Sequence, residues 1–297
     1  MTALSDLSQT LAAAVELGGA SVVRVEARSR FAASGIVYSA DGVIVTANHV
    51  VEEEDNIGIG LVDGRTLTAK LVGRDATTDI AVLRAQASGL TTRAWTDLSA
   101  LKVGHLALAL GRPGKTTMAT LGIVSAFADA WRTPAGGKLD HYLQTDVVMY
   151  PGFSGGPLVD ANGNLIGMNS SALMRGVSLT IPGTTLKSVV ETLLTKGRVS
   201  RGYLGVGAQP VRLPEALAKQ FNQETGLLLV SVEPKGPADK AGLMLGDVIV
   251  AVAGDAVKHL DDLLAALSGD RVGTTVPVKI VRGGQAQEVK ALIGERK

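Results

Sequence analysis

The sequence predicts a mainly β protein with two small barrels, followed by a separate α+β unit. Two sets of about six short apolar runs, separated by turn signals, support the barrels. The first set lies between about residues 20 and 105, and the second ends at residue 181. Beyond residue 202, strand-like runs alternate with helix-like segments, which is typical of an α+β unit.

The first predicted element is an amphipathic helix over residues 4–17, behind a possible Ser5 or Asp6 cap. Its apolar residues recur at helical spacing, and they are Leu4, Leu7, Leu11, Ala14 and Val15. This segment does not resemble a secretory signal, because Lys and Arg are absent before Arg24 and acidic residues interrupt its apolar face.

Short strands follow, and the dipeptides Asp41-Gly42, Asp63-Gly64 and Asn162-Gly163 between them are hairpin turn signals. The strands predicted for the first set are residues 21–25, 35–38, 43–46, 57–61, 66–72 and 80–84. Those predicted for the second set are residues 106–110, 122–126, 142–146, 157–159, 165–169 and 177–181.

A helix over residues 184–194 is expected to close this part, and the polar residues 196–202 are expected to form a linker. The predicted strands of the final unit are residues 227–232, 248–253 and 276–281, and its predicted helices are residues 214–220, 237–241 and 260–267. The expected domain bounds are therefore an N-terminal helix at 1–19, a double barrel at 20–197 and the α+β unit at 202–297.

Composition excludes several classes of function. A chain of 297 residues with 46% hydrophobic residues can bury the cores of two domains. A net charge of +1 argues against a nucleic-acid partner. The chain has no Cys, so it can form no disulfide, zinc–thiolate site or thiol nucleophile, and no apolar run reaches the length of a membrane span.

The most informative motif is Gly-Phe-Ser-Gly-Gly-Pro-Leu at residues 152–158. A serine between glycines can lie on a tight turn whose backbone amides converge on one point, as acyl transfer requires. His49 follows an apolar run, and Asp79 precedes another. The chain order His, Asp, Ser is that of the chymotrypsin group, not of subtilisin or the α/β-hydrolases.

These segments together resemble the HtrA (Deg) serine proteases with one C-terminal PDZ domain. The resemblance extends from about residue 20 to the end, and its motifs are residues 46–51, 75–83, 122–126, 144–146 and 152–158. It implies a chymotrypsin-like double β-barrel protease domain, with the active site in the cleft between the barrels, and then a PDZ domain.

The expected catalytic residues are His49 as general base, Asp79 as the carboxylate that orients it, and Ser154 as nucleophile. Asp75 competes with Asp79, but only Asp79 directly precedes the strand, as in the family motif. The resemblance implies that the backbone amides of Gly152 and Ser154 form the oxyanion hole. The remaining histidines, His105, His141 and His259, are interpreted as structural.

Phe153 departs from the family, which usually has Asn at this position. Two alternatives follow for a bulky apolar side chain at this position. Either it packs on a neighbour and fixes the loop, or it holds the loop in a collapsed form. A collapsed loop would lose an oxyanion donor, which costs about 3 kcal/mol of transition-state stabilisation. A proteolytically weak protein-binding or chaperone-like module is therefore the alternative to a protease.

The substrate pocket is predicted to be apolar. Trypsin-like enzymes carry a carboxylate six residues before the nucleophile, and here that position is Val148, beside Met149. This favours a small or medium aliphatic side chain of the substrate. Asn169, Ser170 and Ser171 are expected to form the opposite wall.

Two other motifs are interpreted as turns. Residues 109–116 nearly match a P-loop, but a true P-loop opens a helix and the next residues favour a strand. Residues 160–164 suggest a calcium loop but lack the later Glu. No cofactor or metal is expected, and an esterase-like hydrolase is disfavoured by the order of the triad and by the PDZ-like unit.

The PDZ-like unit is expected to bind peptide C-termini. Residues 203–206 resemble the carboxylate-binding loop of PDZ domains, and they are Tyr203, Leu204, Gly205 and Val206. Residues 260–267 are expected to form the adjacent helix. Residues 242–249 are a further PDZ signature. A PDZ unit that only packs on the protease is the competing interpretation.

The sequence thus predicts a serine endopeptidase that degrades unfolded or damaged proteins, with a PDZ unit that binds hydrophobic C-termini for recruitment or activation. Members of this family usually trimerise through an aromatic-rich N-terminal segment, but here the first aromatic is Phe31. A homotrimer built on the N-terminal helix and a monomer both stay open. As it stands the chain would be cytoplasmic, or a truncated member of a mostly exported family.

Overall fold

The computed structural model of this chain describes residues 2–199, 202–267 and 271–295. The chain divides into two compact units, residues 1–199 and 200–297. Two closed six-stranded barrels lie in the first unit and a separate sheet in the second, so the predicted mainly β class is confirmed. Ser200 and Arg201 of the expected linker lie outside the described residues.

Helix α1 spans Ala3–Gly19 and begins the first unit. Its cap is Thr2, whose hydroxyl accepts the Ser5 amide at 3.3 Å, so the expected Ser5 or Asp6 cap is wrong by one turn. Only Ala14, Gly18 and Gly19 of the helix are fully buried, whereas Leu4 is 79% exposed. The helix therefore docks through its C-terminal end.

The first barrel closes in the order β1-β2-β3-β6-β5-β4. Its strands are β1 (Val22–Glu26), β2 (Ala33–Ser39), β3 (Val43–Ala47), β4 (Ile57–Gly60), β5 (Thr66–Asp75) and β6 (Ile80–Ala85). Val, Ile, Leu and Ala side chains fill it, as the scarcity of aromatics predicts. All residues of β3 are buried because this strand also contacts the second barrel.

The second barrel closes in the order β11-β14-β13-β12-β7-β8. Its strands are β7 (Leu106–Gly111), β8 (Met118–Ala128), β11 (Tyr142–Thr145), β12 (Pro157–Val159), β13 (Leu165–Ser170) and β14 (Ser178–Pro182). A hairpin of β9 (Trp131–Arg132) and β10 (Lys138–Leu139), which the sequence did not predict, projects between β8 and β11.

Helix α2 (Gly183–Lys196) closes the first unit and packs on strands of both barrels. It ends at Gly197, whose φ of 69° is a left-handed conformation that glycine adopts without steric cost. Short 3₁₀ turns lie at Asn48–Val50 and Leu98–Ala100.

The second unit is built on a sheet of order β16-β17-β18-β20-β21. Its elements are β15 (Gly202–Tyr203), β16 (Val206–Arg212), α3 (Glu215–Phe221), β17 (Thr225–Val232), α4 (Pro237–Lys240), β18 (Val248–Val252), β19 (Asp255–Ala256), α5 (Leu260–Ala266), β20 (Thr275–Arg282), β21 (Gln285–Leu292) and β22 (Gly294–Glu295). Strand β16 is an edge of this sheet, so it can accept a further strand.

The two motifs that resemble a P-loop and a calcium loop both lie at connections between strands. Residues 112–117 join β7 to β8 and a strand follows them, so the helix that a P-loop requires is replaced by β structure. The Asp160 carboxylate accepts the amides of Asn162 and Asn164, which closes the turn between β12 and β13. In the described part of the chain, every helix is too short or too polar to cross a membrane.

Candidate active site

His49 lies on the 3₁₀ turn that directly follows β3, at the rim of the first barrel. The turn is fixed to the neighbouring strand connection, because the Asn48 amide donates to the Asp79 carbonyl at 3.0 Å. The His49 side chain is 28% exposed, so one edge of the ring remains open to solvent.

Asp79 holds this histidine with both carboxylate oxygens. Its Oδ1 accepts the His49 amide at 2.9 Å, and its Oδ2 lies 2.8 Å from His49 Nδ1. The Asp79 side chain is only 6% exposed. A bond from Nδ1–H to the carboxylate sets the tautomer in which Nε2 is free to accept a proton.

The backbone at Asp79 is held in an uncommon conformation, with φ of 59°. Asp tolerates the left-handed region better than most residues, and such outliers cluster at functional sites. The turn before it is organised by Asp75, whose carboxylate accepts the amide and hydroxyl of Thr77 and the hydroxyl of Thr78. The two aspartates therefore have different partners: Asp75 bonds residues of the turn, and Asp79 bonds His49.

The β9–β10 hairpin supports the same turn. Thr133 Oγ1 donates to the Thr77 carbonyl at 2.6 Å. Gly137 lies so close that a Cβ on it would meet the Thr77 oxygen at 2.3 Å. The hairpin therefore supports the turn that carries Asp79. Its strands have only two residues each, which is too short to be predicted from the sequence.

Ser154 lies on a pair of consecutive turns. The Phe153 amide donates to the Tyr150 carbonyl at 3.0 Å, with Pro151 second in the turn and Gly152 third at φ of 90°. Proline second and a positive-φ glycine third are typical of a type II turn.

The next turn continues this arrangement. The Gly156 amide donates to the Phe153 carbonyl at 2.9 Å, and Gly155 adopts a φ of 85°. The plane of the peptide that carries the Ser154 amide is therefore fixed.

The amides of Gly152 and Ser154, the predicted oxyanion donors, are not used inside the protein. Across the described residues 2–199, neither of them donates to a protein acceptor. Their neighbours are all engaged, since the amides of Phe153, Gly155 and Gly156 donate to carbonyl groups. Two free donors on a turn whose other amides are bonded can bind an oxyanion.

The Ser154 hydroxyl bonds Ser171 in this structure. The two hydroxyl oxygens are 3.0 Å apart, and the Ser171 amide donates to Ser154 Oγ at 3.3 Å. None of the hydrogen bonds among the described residues joins Ser154 Oγ to the His49 ring. Bonds between nucleophile and base are often long or misaligned before substrate binds.

Phe153 is fully buried and fills the core of the second barrel. Its ring lies against Gly111, where a Cβ would come within 2.6 Å of Phe153 Cδ1, and edge-on to Tyr150 with ring centres 5.8 Å apart. Of the two consequences considered for this residue, the structure has the first: the ring packs on neighbours beneath the turn.

The predicted pocket residues have different environments. Val148 is 55% exposed and Met149 packs partly on the second-barrel core, so both present apolar surface beside the serine turn. Asn169 is fully buried, donates to the Pro157 carbonyl and accepts the Thr180 hydroxyl.

Ser170 is also fully buried, and its hydroxyl donates to Asp79 Oδ2 at 2.5 Å. These bonds occupy the side chains of both Asn169 and Ser170, so only their backbone is free to form the pocket wall, which stays a prediction. The exposed residue next to them is Ser171.

The second unit contains a cavity of about 760 Å³ between the edge of its sheet and helix α5. All four residues of the predicted carboxylate loop line it, which are Tyr203, Leu204, Gly205 and Val206. Its apolar wall comes from Leu260, Leu263, Leu264 and Leu267. His259 caps α5, which agrees with its structural interpretation.

Two protein families match this chain, a trypsin-like peptidase domain at residues 33–168 and a PDZ domain at residues 202–293. A probable periplasmic serine endoprotease, DegP-like, from Halomonas elongata is 39% identical over 268 residues, which is 88% of this chain and 56% of that protein. The corresponding protein of Chlamydia trachomatis is 36% identical over 276 residues, with 91% and 55% covered. The chain spans about half the length of the curated relatives it matches.

Solved structures match over nearly their whole length. The serine endoprotease from Yersinia pestis is 32% identical with a TM-score of 0.79, covering 97% of this chain and 98% of that one. The HtrA-type protease AlgW with tripeptide is 31% identical with a TM-score of 0.77, covering 97% of each chain. The similarity to these proteases thus extends over both units of this chain.

Proposed function

Because the chain belongs to the HtrA family of serine proteases, with one PDZ domain, we propose that it is a serine endopeptidase that uses Ser154, His49 and Asp79. The observation that carries the proposal is the link between these groups through consecutive residues of one strand end. Ser170 bonds the Asp79 carboxylate, and Ser171 bonds the Ser154 hydroxyl. The acid that orients the histidine and the serine nucleophile are therefore anchored to the same short segment.

In the proposed reaction, Ser154 Oγ leaves Ser171, gives its proton to His49 Nε2 and attacks the peptide carbonyl carbon. The carbonyl oxygen becomes an oxyanion, which accepts from the Gly152 and Ser154 amides. His49 then passes the proton to the leaving amine, and the peptide C–N bond breaks to give an acyl-enzyme. Water then gives a proton to His49 and attacks the acyl carbon. The bond from that carbon to Ser154 Oγ breaks, His49 returns the proton to Oγ, and the acid product leaves.

The substrates that fit are extended segments of unfolded or damaged proteins. A folded protein offers few stretches of free backbone, whereas an unfolded chain presents them throughout. Val148 and Met149 favour an aliphatic side chain of small or medium size at the cleaved bond. A library of peptides that differ only at this position tests the preference, and a preference for Lys or Arg would reject it.

The central test is cleavage of an unfolded protein such as casein by the wild type, Ser154→Ala and His49→Ala. We expect both variants to lose at least about 10³-fold in turnover and to keep their fold by circular dichroism. Matched controls are Ser125→Ala and His105→Ala, which remove the same side chains from exposed positions of the same unit. Wild-type turnover in either active-site variant would reject the assignment.

We also propose that the second unit binds hydrophobic peptide C-termini in its cavity. The edge strand β16 can pair with the peptide, while the leucines of α5 cover its last side chain. The test compares a peptide ending in a free Leu carboxylate with its C-terminal amide.

Two variants separate this site from general apolar surface. Leu264→Glu should abolish binding, and Val230→Glu, outside the cavity wall but also apolar and partly exposed, should not. Equal binding of the acid and amide peptides would reject carboxylate capture.

The alternative, a binding module with little proteolysis, is favoured by one observation, the Ser154 hydroxyl bonded to Ser171 instead of His49. Substrate or a PDZ ligand would then be needed to break this bond. Casein cleavage with and without a hydrophobic C-terminal peptide separates the two functions. No cleavage under either condition would favour the binding module.

Assembly and compartment are further proposals. The N-terminal helix exposes Leu4, Leu7 and Leu17, which is the apolar surface a homotrimer could use. Light scattering of the wild type and a Leu4→Ser, Leu7→Ser double variant tests this. The DegP-like relatives are named periplasmic, and we propose the same compartment, which fractionation of the source cell would test.

A further inference from the structure

Ser34 carries a buried hydroxyl near the start of strand β2 of the first barrel. It is fully buried, and so are the residues on both sides of it, Ala33 and Gly35. A buried hydroxyl is costly unless it is hydrogen-bonded, so its partners indicate why serine occupies this position.

Both partners of the Ser34 hydroxyl belong to the second barrel. Its Oγ donates to the Gly152 carbonyl at 2.7 Å and accepts the Arg112 amide at 2.7 Å. The Ser34 backbone amide also donates to the Ser154 carbonyl at 3.2 Å. One residue of the first barrel thus bonds the carbonyl groups on both sides of Phe153, in the turn that carries the nucleophile.

The packing around Ser34 leaves this turn little room to move. A Cβ on Gly155 would meet the Ser34 carbonyl oxygen at 2.1 Å, and one on Gly156 would lie 3.1 Å from the Ser34 Cβ. Thr46 Oγ1 donates to the Ser34 carbonyl at 2.7 Å and would itself lie 2.3 Å from that Cβ on Gly155. The glycines that follow Ser154 therefore allow the turn to approach β2 closely.

We propose that the Ser34 hydroxyl is a positioning residue for the oxyanion hole, acting through the Gly152 carbonyl. The peptide between residues 152 and 153 is held at one end by Ser34 Oγ and at the other by the bond from the Phe153 amide to Tyr150. With that plane clamped, Gly152 keeps its positive φ, and the Gly152 and Ser154 amides keep their spacing. The inference rests on the proposed function, since it assigns a role to the same two amides.

The Arg112 side chain strengthens the clamp. Its guanidinium donates to the carbonyls of Leu61 in the first barrel and of Lys115 in the second, so it ties the two barrels together beside its own amide. Burial lowers the pKa of Arg112 below its usual value, although the group stays charged. The Arg112 amide, which donates to Ser34 Oγ, is therefore held in place by the bonds of its own side chain.

The test is Ser34→Ala, with Ser21→Ala as the matched control. Ser21 is equally buried in the same unit and also donates to one backbone carbonyl, that of Gly18 at 2.9 Å, away from the serine turn. We expect Ser34→Ala to lower kcat by about 10- to 100-fold with KM changed less than about threefold, because a displaced donor acts on the transition state. Affinity for a peptide boronate, which mimics the tetrahedral intermediate, should fall by the same factor.

A conservative variant separates the hydroxyl from its surroundings. Ser34→Thr retains the Oγ but adds a buried methyl group beside Gly156, so its kcat should lie between those of the wild type and Ser34→Ala. Ser34→Cys keeps nearly the same volume with a weak donor and replaces the alanine variant if that variant does not fold. A kcat in Ser34→Ala equal to that of Ser21→Ala would overturn the proposal.

Hydrogen exchange of the Phe153 amide gives a readout that does not require turnover. Exchange should be at least about tenfold faster in Ser34→Ala than in the wild type or Ser21→Ala, because the turn loses one of its two clamps. If the wild type were inactive but exchange were still faster in Ser34→Ala, the protease function would be rejected, and the hold of Ser34 on the serine turn would stand. Unchanged exchange would reject the clamp whatever the activity.

Discussion

Asp79 and Asp247 are both buried carboxylates, but they face opposite kinds of partner. Asp79 meets an imidazole and a hydroxyl, those of His49 and Ser170. Asp247, in the second unit, meets the guanidinium of Arg282, whose Nε and Nη2 lie 2.7 and 2.8 Å from its two oxygens. The first set of partners can gain, lose or redirect protons, whereas the second is a permanent cation.

The local surroundings of the two aspartates also differ. Asp79 is held at a φ of 59°, at the rim of a barrel and beside a partly exposed histidine. Asp247 also accepts the Met244 amide at 2.8 Å and ends the loop before β18. A carboxylate paired with a fixed charge stabilises a fold, and one paired with a titratable ring on a strained turn is available for chemistry.

The largest expected effect is that of Asp79→Asn on catalysis. The amide would offer an NH₂ group to the His49 ring and so favour the wrong tautomer, which lowers kcat by about 10⁴-fold in enzymes of the chymotrypsin type. Asn also tolerates positive φ, so the melting temperature should change little.

The neighbouring carboxylate is the control for this variant. Asp75→Asn should lower kcat less than about tenfold, since its carboxylate accepts the Thr77 amide and the Thr78 hydroxyl, whereas Asp79 bonds the His49 ring. Steady-state kinetics on one peptide substrate measures both variants. A larger loss in Asp75→Asn than in Asp79→Asn would reverse their roles.

The next effect is that of Asp247→Asn on stability. Removing one partner of a buried ion pair costs roughly 3–5 kcal/mol when both are buried. We expect about 2 kcal/mol in the second unit, because Arg282 is still 31% exposed and can be hydrated. Urea unfolding of the full chain measures it.

Asp239→Asn is the exposed control in the same unit, since Asp239 accepts only the Lys235 amide in the bonds described. It should cost well under about 1 kcal/mol. If the two variants destabilised the unit equally, the ion pair would have no special structural role.

Sequence reasoning predicted the two barrels because hairpin turns and apolar runs are local signals. It placed His49 and Asp79 beside strands of the first barrel and Ser154 in the second. In the structure Asp79 bonds His49 and Ser170, and Ser171 bonds Ser154. It could not decide which side chains at the end of β13 are buried. Asn169 and Ser170 were assigned to the pocket wall, but Asn169 bonds Pro157 and Thr180 of the neighbouring strands, and Ser170 bonds Asp79, 91 residues earlier in the chain.

The same limit explains the role of Phe153. Its ring fits because Gly111, on another strand, has no side chain. No local pattern joins these two positions. Ser34 lies one residue before the strand predicted at residues 35–38, so neither its burial nor its bonds to Gly152 and Arg112 were predicted.

The smallest expected effect is the pH dependence that Asp247 gives to the second unit. Burial by itself raises the pKa of Asp247, but the hydrogen bonds from Arg282 and from the Met244 amide outweigh it, so the pKa lies below the ordinary value. A carboxyl with a lowered folded-state pKa binds fewer protons folded than unfolded. Its stabilisation is therefore fully present well above the unfolded pKa of about 3.9, and it is lost as pH falls below that value.

Thermal unfolding between pH 7 and pH 3 should show this loss in the wild type and a flatter profile in Asp247→Asn. The difference between the two profiles isolates Asp247, because the other carboxylates of the chain titrate in both proteins. A wild type that gained stability over the variant on acidification would contradict the lowered pKa. It would also remove the distinction between a fixed-charge pair in the second unit and a proton-handling pair at His49.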